Sequence, residues 1–349
     1  MAQFDAQIRP VKLYNPASFD PVFHSRMRVL PSSLIIDADP GIGDALAVAL
    51  ALLDPEVDLL AVTATSGCVS GATATRNLQA VIELIDPAKW PRLGASDVEL
   101  PLPGGELMPG FVDPALLNGR HGLGDGVVAV AELHKPHDAV KLLIEVVRQH
   151  PQEITLLTLG PLTNVLAAQE RDPEFLSLLR ELICFGGSIA VGGNATAAAE
   201  FNIFADPEAA RHILRSPATK TLVPLDAAQQ LVLNYDQFAR LSDVGIGRAG
   251  KAILEWLQFG LRASHEHLGN EGFVLSEVVA LAVVAQSRLV HTSSMAVDVE
   301  TQTGLCRGVT VFDRRASRRW RDNIEVVDEL DSQGLLDYFG RMLRRIEIS

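Results

Sequence analysis

Leu34-Ile35-Ile36-Asp37-Ala38-Asp39-Pro40-Gly41-Ile42-Gly43-Asp44-Ala45-Leu46-Ala47 decides how the rest of the chain is read. An apolar run ends on Asp37 and Asp39, Pro40-Gly41 allows a tight turn, and an apolar helical pattern starts at Asp44. The pattern is a buried strand, a turn and a helix. Two aspartates two apart on a strand share a face. Asp44 enters the first helical turn, where negative charge is favourable. Helix capping by Asp39 or Asp44 accounts for one carboxylate, not three. Three such groups at one strand end repel each other, and a hard divalent cation with oxygen ligands, Ca2+ or Mg2+, would relieve that repulsion. Gly41-Ile42-Gly43 after a strand also invites a dinucleotide-binding reading. That match is weak: Leu46 obstructs the third small position, and the aspartates repel a pyrophosphate.

Outward from this turn, apolar strand-like runs alternate with helical patterns. Strands are expected at 59–65, 154–159, 181–185 and 220–225, and helices at 44–53, 72–84, 138–149, 162–169 and 207–214. This alternation implies an α/β fold, a mainly parallel sheet flanked by helices. Such sheets bind ligands at the carboxyl ends of their strands, where the aspartates lie. Residues 87–135, rich in Gly and Pro, read as a long loop-like insertion. Later, 251–268, 277–285 and 335–346 read as helices, and 297–300, 308–312 and 324–327 as a small additional β region. Residues 1–31, punctuated by four prolines, read as an extension before one domain spanning 32–349.

The 349 residues are 48% hydrophobic, enough for a large core, and carry a formal net charge of -13. That charge argues against a nucleic-acid or anionic-membrane partner. The start has no apolar segment of a secretion signal, and no run reaches the length of a membrane span. Cys68, Cys184 and Cys306 are too few and scattered for a disulfide framework or a zinc cluster, and read as reduced thiols of a cytoplasmic protein.

Two later stretches carry polar groups. Thr158-Leu159-Gly160-Pro161-Leu162-Thr163-Asn164 ends a strand, and its carbonyls are available at the same rim as hard ligands. In Gly193-Asn194 to Ala199-Glu200-Phe201-Asn202-Ile203, Asn194, Glu200 and Asn202 bring two amides and a carboxylate with no cation nearby in sequence. Glu200 and Asn202 alternate with apolar Phe201 and Ile203, so the two polar side chains share a face, which suits the hydroxyls of a sugar; the alternative is a solvated strand edge. Asp206-Pro207-Glu208 starts a helix, with Asp206 as N-cap. Glu277 opens an apolar helix, where capping alone explains it.

Together these segments resemble the inosine-uridine-preferring nucleoside hydrolases. The family turn D-x-D-P-G-x-D-D stands here as Asp37 to Asp44. The likeness continues through Gly160-Pro161-Leu162-Thr163-Asn164, Gly193 to Ala210, Val299-Glu300 and Arg307-Gly308-Val309-Thr310-Val311. The resemblance implies a Rossmann-like nucleoside hydrolase fold, usually dimeric or tetrameric, that cleaves the N-glycosidic bond of nucleosides in base salvage. It implies Ca2+ held by Asp39, Asp44, the Leu159 carbonyl and Glu277, with Asp39 also the general base. Asn194, Glu200 and Asn202 would bind the sugar.

The departures gather in the site. Gly43 replaces an aspartate that contacts ribose in the family, Cys68 an asparagine, and Asn118 and Ser276 histidines. Gly43 therefore reads as a vacated ribose contact. His121, His265 and His267 are candidate substitutes for the missing histidines at the mouth, the alternative for each being an ordinary surface histidine. Glu277, in place of the family's aspartate, adds a methylene, a shift of up to about 1.5 Å. The alternatives kept open are a nucleoside- or sugar-binding homologue with impaired turnover, and a hydrolase of an atypical N-glycoside.

Overall fold

The computed structural model describes residues 32–96, 100, 111–124, 126, 130, 136–241 and 247–347. The extension expected at 1–31 lies outside them. Strand β1 (Ser32–Ala38) is buried on both faces from Leu34 onward, as its unbroken apolar run requires. It pairs in parallel with β2 (Val57–Ala64) on one side and with β5 (Thr155–Thr158) on the other. Beyond β2 come β3 (Arg92–Ala95) and β4 (His137–Asp138). Beyond β5 come β6 (Glu181–Phe185), β7 (Lys220–Val223) and β13 (Ile324–Leu330), all parallel. β10 (Val290–Met295) closes that edge, antiparallel to β13. The sheet order is β10-β13-β7-β6-β5-β1-β2-β3-β4. The chain runs outward from β1 to β4, then returns to the other side of β1 and runs outward again. The order reverses between β1 and β5, and ligands bind outside the carboxyl ends of strands at such a point.

Helices cover both faces. Leu34, Ile36 and Ala38 face a core shared with helices Ile42–Leu53, Gly71–Ile85 and Ser276–Ala285. Ile35 faces a second core under Ala139–Gln149, Thr163–Arg171 and Pro207–Leu214. The last of these starts as expected: Asp206 accepts from the Ala209 N–H at 3.0 Å, with Pro207 at the first helical position. No helix among the described residues is long and apolar enough to cross a membrane. The three cysteines are free.

Three expectations change. The insertion at 87–135 contains a strand, β3, whose four residues are too few to show a period. Residues 97–99, 101–110, 125, 127–129 and 131–135 of it lie outside the described set. The β region divides: β11 (Val297–Val299) and β12 (Thr310–Phe312) form a hairpin, while β13 belongs to the main sheet. A second small antiparallel pair joins β8 (Val232–Asn234) to β9 (Gly272–Val274). Finally, Glu200–Ile203 is not a strand edge. Glu200 caps a short helix, Phe201–Ala205, and an alternation over four residues was too brief to tell the two apart.

Candidate active site

A cavity of about 240 Å³ opens at the carboxyl ends of β1 and β5. Asp39, one residue past β1, forms part of its floor. Its Oδ2 accepts from the Cys68 main-chain N–H at 2.6 Å, and the Cys68 thiol donates to the Asp39 carbonyl. A Cβ on Gly67 would lie 2.0 Å from Oδ2, and one on Gly160 2.4 Å from Oδ1. Two glycines therefore leave the slot that this carboxyl occupies. Asp44 turns back on its own helix, where Oδ2 accepts from the Gly41 N–H at 3.1 Å. Its Oδ1 is buried and has no hydrogen-bond partner. Capping thus explains one oxygen of Asp44 and not the other.

The turn between them is clamped from outside. Asn118 Oδ1 accepts from the Ile42 N–H at 2.9 Å. Asn77 Nδ2 donates to the carbonyls of Pro40 and His121, at 3.0 and 2.7 Å. Asn118 lines the cavity but works as a cap.

Asp37 does not join this group. It is fully buried on the face of Ile35, where Oδ1 accepts from Thr63 Oγ1 and, at 2.8 Å, from Asn164 Nδ2. The strand ends at Ala38, so the alternation that would align Asp37 with Asp39 stops before Asp39. Glu277, in the first turn of helix Ser276–Ala285, brings another carboxyl to the cavity instead. Its carboxyl lies over Gly43: a Cβ there would meet Oε2 at 1.9 Å and Cδ at 2.4 Å. The position read as a vacated contact is filled from another helix.

The far wall is built by the loop after β6. Asn202 Nδ2 donates to the carbonyls of Leu159, at 2.6 Å, and Phe185, at 3.1 Å. It ties the ends of β5 and β6 together and fixes the Leu159 carbonyl at the rim. Glu200 accepts from the main-chain N–H groups of Asn202, Gly187 and Ile203. Gly187 has φ +77°, which favours glycine and aims its N–H at the carboxyl. Asn194 Oδ1 accepts from the Phe201 N–H at 2.8 Å. All three of these predicted sugar-binding residues line the cavity.

Burial pushes the Glu200 carboxyl up to about 7, against the lowering effect of those N–H groups. Burial likewise raises Asp39 and Glu277 above the usual carboxylate range. Asp44 is raised by burial and then by the charges of Asp39 and Glu277. No Lys or Arg is among the described lining residues. Ligand atoms of Asp39, Asp44 and Cys68 lie within 4.8 Å of one another. The thiol is engaged as a donor, so the available set is oxygen. Buried carboxyls, one with an orphaned oxygen, and no cationic side chain fit a hard divalent ion.

His121, His265 and His267 are exposed and not part of the cavity lining. Ser276 does line it, and so does an apolar end made by Leu117, Phe201, Leu268 and Phe273, with Asn270 beside it. That end was not foreseen. Its residues come from separate segments, and each reads locally as ordinary core or loop.

The chain matches the model of the family described as inosine-uridine preferring nucleoside hydrolase over residues 34–337. It is 34% identical to uridine nucleosidase 1 of Arabidopsis thaliana, over 87% of this chain and 91% of that protein. It is 31% identical to the inosine-uridine preferring nucleoside hydrolase of Crithidia fasciculata, over 91% and 98%. Among solved structures, a purine-preferring ribonucleoside hydrolase from Gardnerella vaginalis superposes with a TM-score of 0.81 at 27% identity, covering 91% of this chain and 100% of that one.

Proposed function

The chain belongs to the inosine-uridine preferring nucleoside hydrolase family, and from that premise we propose that it hydrolyses nucleosides to sugar and free base with Ca2+ as its cofactor. The observation that carries the reading is that Asp39, Asp44 and Glu277 line one cavity where the strand order reverses, with one Asp44 oxygen buried and unserved. The three carboxylates and the Leu159 carbonyl would hold the ion. Ca2+ accommodates the irregular geometry of a longer Glu277 better than Mg2+ does. When bound, it would supply a water of lowered pKa and an anchor for the sugar diol.

Departure of the base builds positive charge on the sugar ring, as in other glycoside hydrolysis. The carboxylates of the cavity wall stabilise that charge. Asp39 acts as general base toward the attacking water. Asn202, with Nδ2 committed to two carbonyls, offers Oδ1 to a sugar hydroxyl; Asn194, with Oδ1 committed, offers Nδ2. The apolar end around Phe201 and Phe273 takes the base. No His, Lys, Arg or Tyr is among the described lining residues, so the acidity of the leaving group governs the rate.

Relatives named for uridine, for inosine and uridine, and for purines share the fold. We extend the substrate to nucleosides of both base classes, in cytoplasmic nucleoside salvage. Assembly as a homodimer or homotetramer belongs to the same proposal. Exposed Leu305, Val311 and Trp320 offer apolar side chains for it. Light scattering on the purified protein reads its mass.

The test is release of free base from a nucleoside panel with Ca2+ and with chelator. Release that depends on Ca2+ supports the reading. Ligand that raises the melting temperature with no base released from any nucleoside contradicts it, and marks a binding protein.

A further inference from the structure

Gly43 and Glu277 lie far apart in sequence and occupy one space. Helix Ile42–Leu53 packs against helix Ser276–Ala285, and the first turns of both border the cavity. Glu277 reaches across from one first turn to the other. A Cβ on residue 43 would lie 1.9 Å from Oε2, 2.4 Å from Cδ and 2.9 Å from Oε1. Every nearest atom belongs to the Glu277 carboxyl, so only a glycine admits this rotamer. Glu277 lines the cavity. Its carboxyl oxygens lie in a wall shared with Asn194, Glu200 and Asn202 and can accept from sugar hydroxyls.

We propose that Gly43 and Glu277 form one sugar-binding unit, in which the missing Cβ at 43 lets the Glu277 carboxylate receive a hydroxyl of the bound sugar. This inference rests on the nucleoside hydrolase reading and adds to Glu277 a substrate contact distinct from holding the cation. It also reverses the simplest engineering idea. Gly43→Asp does not refill an empty contact; it expels the carboxyl already there.

The experiment compares wild type with Gly43→Ala, Glu277→Asp, Gly43→Ala/Glu277→Asp and Gly43→Asp/Glu277→Asp. Three quantities are read: melting temperature of the metal-free protein, Ca2+ affinity by calorimetry, and KM for a nucleoside together with Kd for ribose. Gly43→Ala turns the Glu277 side chain aside and weakens ribose binding, and it has little further effect in Glu277→Asp, where the carboxyl is already withdrawn by one methylene. Glu277→Asp alone weakens ribose binding and raises KM by about tenfold or more, while Ca2+ affinity changes much less. Gly43→Asp/Glu277→Asp regains ribose binding, because the carboxylate returns from position 43.

A ribose affinity that Gly43→Ala leaves unchanged overturns the shared space. Ca2+ affinity that falls in step with ribose affinity in Glu277→Asp, with no recovery in Gly43→Asp/Glu277→Asp, reduces Glu277 to a cation ligand and overturns the sugar contact. A wild type that binds ribose in this order across the variants yet cleaves no nucleoside defeats the assigned reaction and leaves the inference standing. A wild type that binds no ribose overturns the inference.

Discussion

Cys68 donates its main-chain N–H to Oδ2 of Asp39 at 2.6 Å, and through that bond the turn after β2 orients the carboxyl assigned as general base. An asparagine at 39 can keep this acceptor while losing the ability to take a proton. Asp39→Asn is expected to lower base release by about 10²–10⁴-fold and to leave the melting temperature of the metal-free protein unchanged or higher, since it removes a buried charge. Circular dichroism and a base-release assay check both parts. Turnover within a few-fold of wild type removes Asp39 from that role.

Asn202 holds two strand ends with one amide. Asn202→Asp deletes both donors, to the Leu159 and Phe185 carbonyls, and adds another carboxyl to the cavity. The expected loss is about 1–3 kcal/mol of stability, measured by urea denaturation. Ca2+ affinity should fall as well, because the Leu159 carbonyl is no longer held. A variant as stable as wild type shows that these two bonds contribute little.

The buried carboxyls give the metal-free protein a definite pH dependence. Burial pushes Asp37 and Glu200 up to about 7, from ordinary values of 3.8 and 4.5. Burial also raises Asp39, Asp44 and Glu277. An acid whose folded pKa exceeds its unfolded one binds its proton more tightly when folded. Its contribution to stability is therefore present below the unfolded value and lost as the pH rises through the folded one. The melting temperature of chelated protein should fall between about pH 4 and 7, with Asp37 and Glu200 setting that window. Added Ca2+ should raise it most at the alkaline end, where the ligands are ionised. A melting temperature that rises steadily toward pH 8 without metal contradicts this.

With no His, Lys, Arg or Tyr among the described lining residues, and with the lining carboxyls assigned to cation, sugar and water, the proposed reaction leaves the departing group to carry its own charge. A riboside of an acidic phenol should be cleaved faster than uridine or inosine, and kcat should increase with leaving-group acidity across a substituted series. A flat dependence points to protonation of the base by a group outside this lining.

The turn from β1 into the first helix was legible because its signals are local: apolar run, Pro-Gly, aspartate in the first turn. Asp39, Asp44, Glu277, Asn194, Glu200 and Asn202 do meet at one cavity. What the sequence concealed depends on contacts across the fold. Asp37 is chemically like Asp39 and two residues away, yet the strand ends between them and sends them to different surroundings. Gly43 looks like a lost ligand until Glu277 is seen above it. β10, with Ser, Thr and His along its length, carries no strand-like apolar pattern because it is an edge. The apolar end of the cavity, from Leu117 to Phe273, is assembled from pieces with no shared motif.

The central claim is that carboxylates at the point of strand reversal grip a divalent ion against which a nucleoside is hydrolysed. Chelated, metal-free enzyme titrated with Ca2+ while base release is followed tests it most directly. Activity absent before titration and restored to a plateau at one equivalent per chain is the expected result. Full turnover before any Ca2+ is added contradicts the claim.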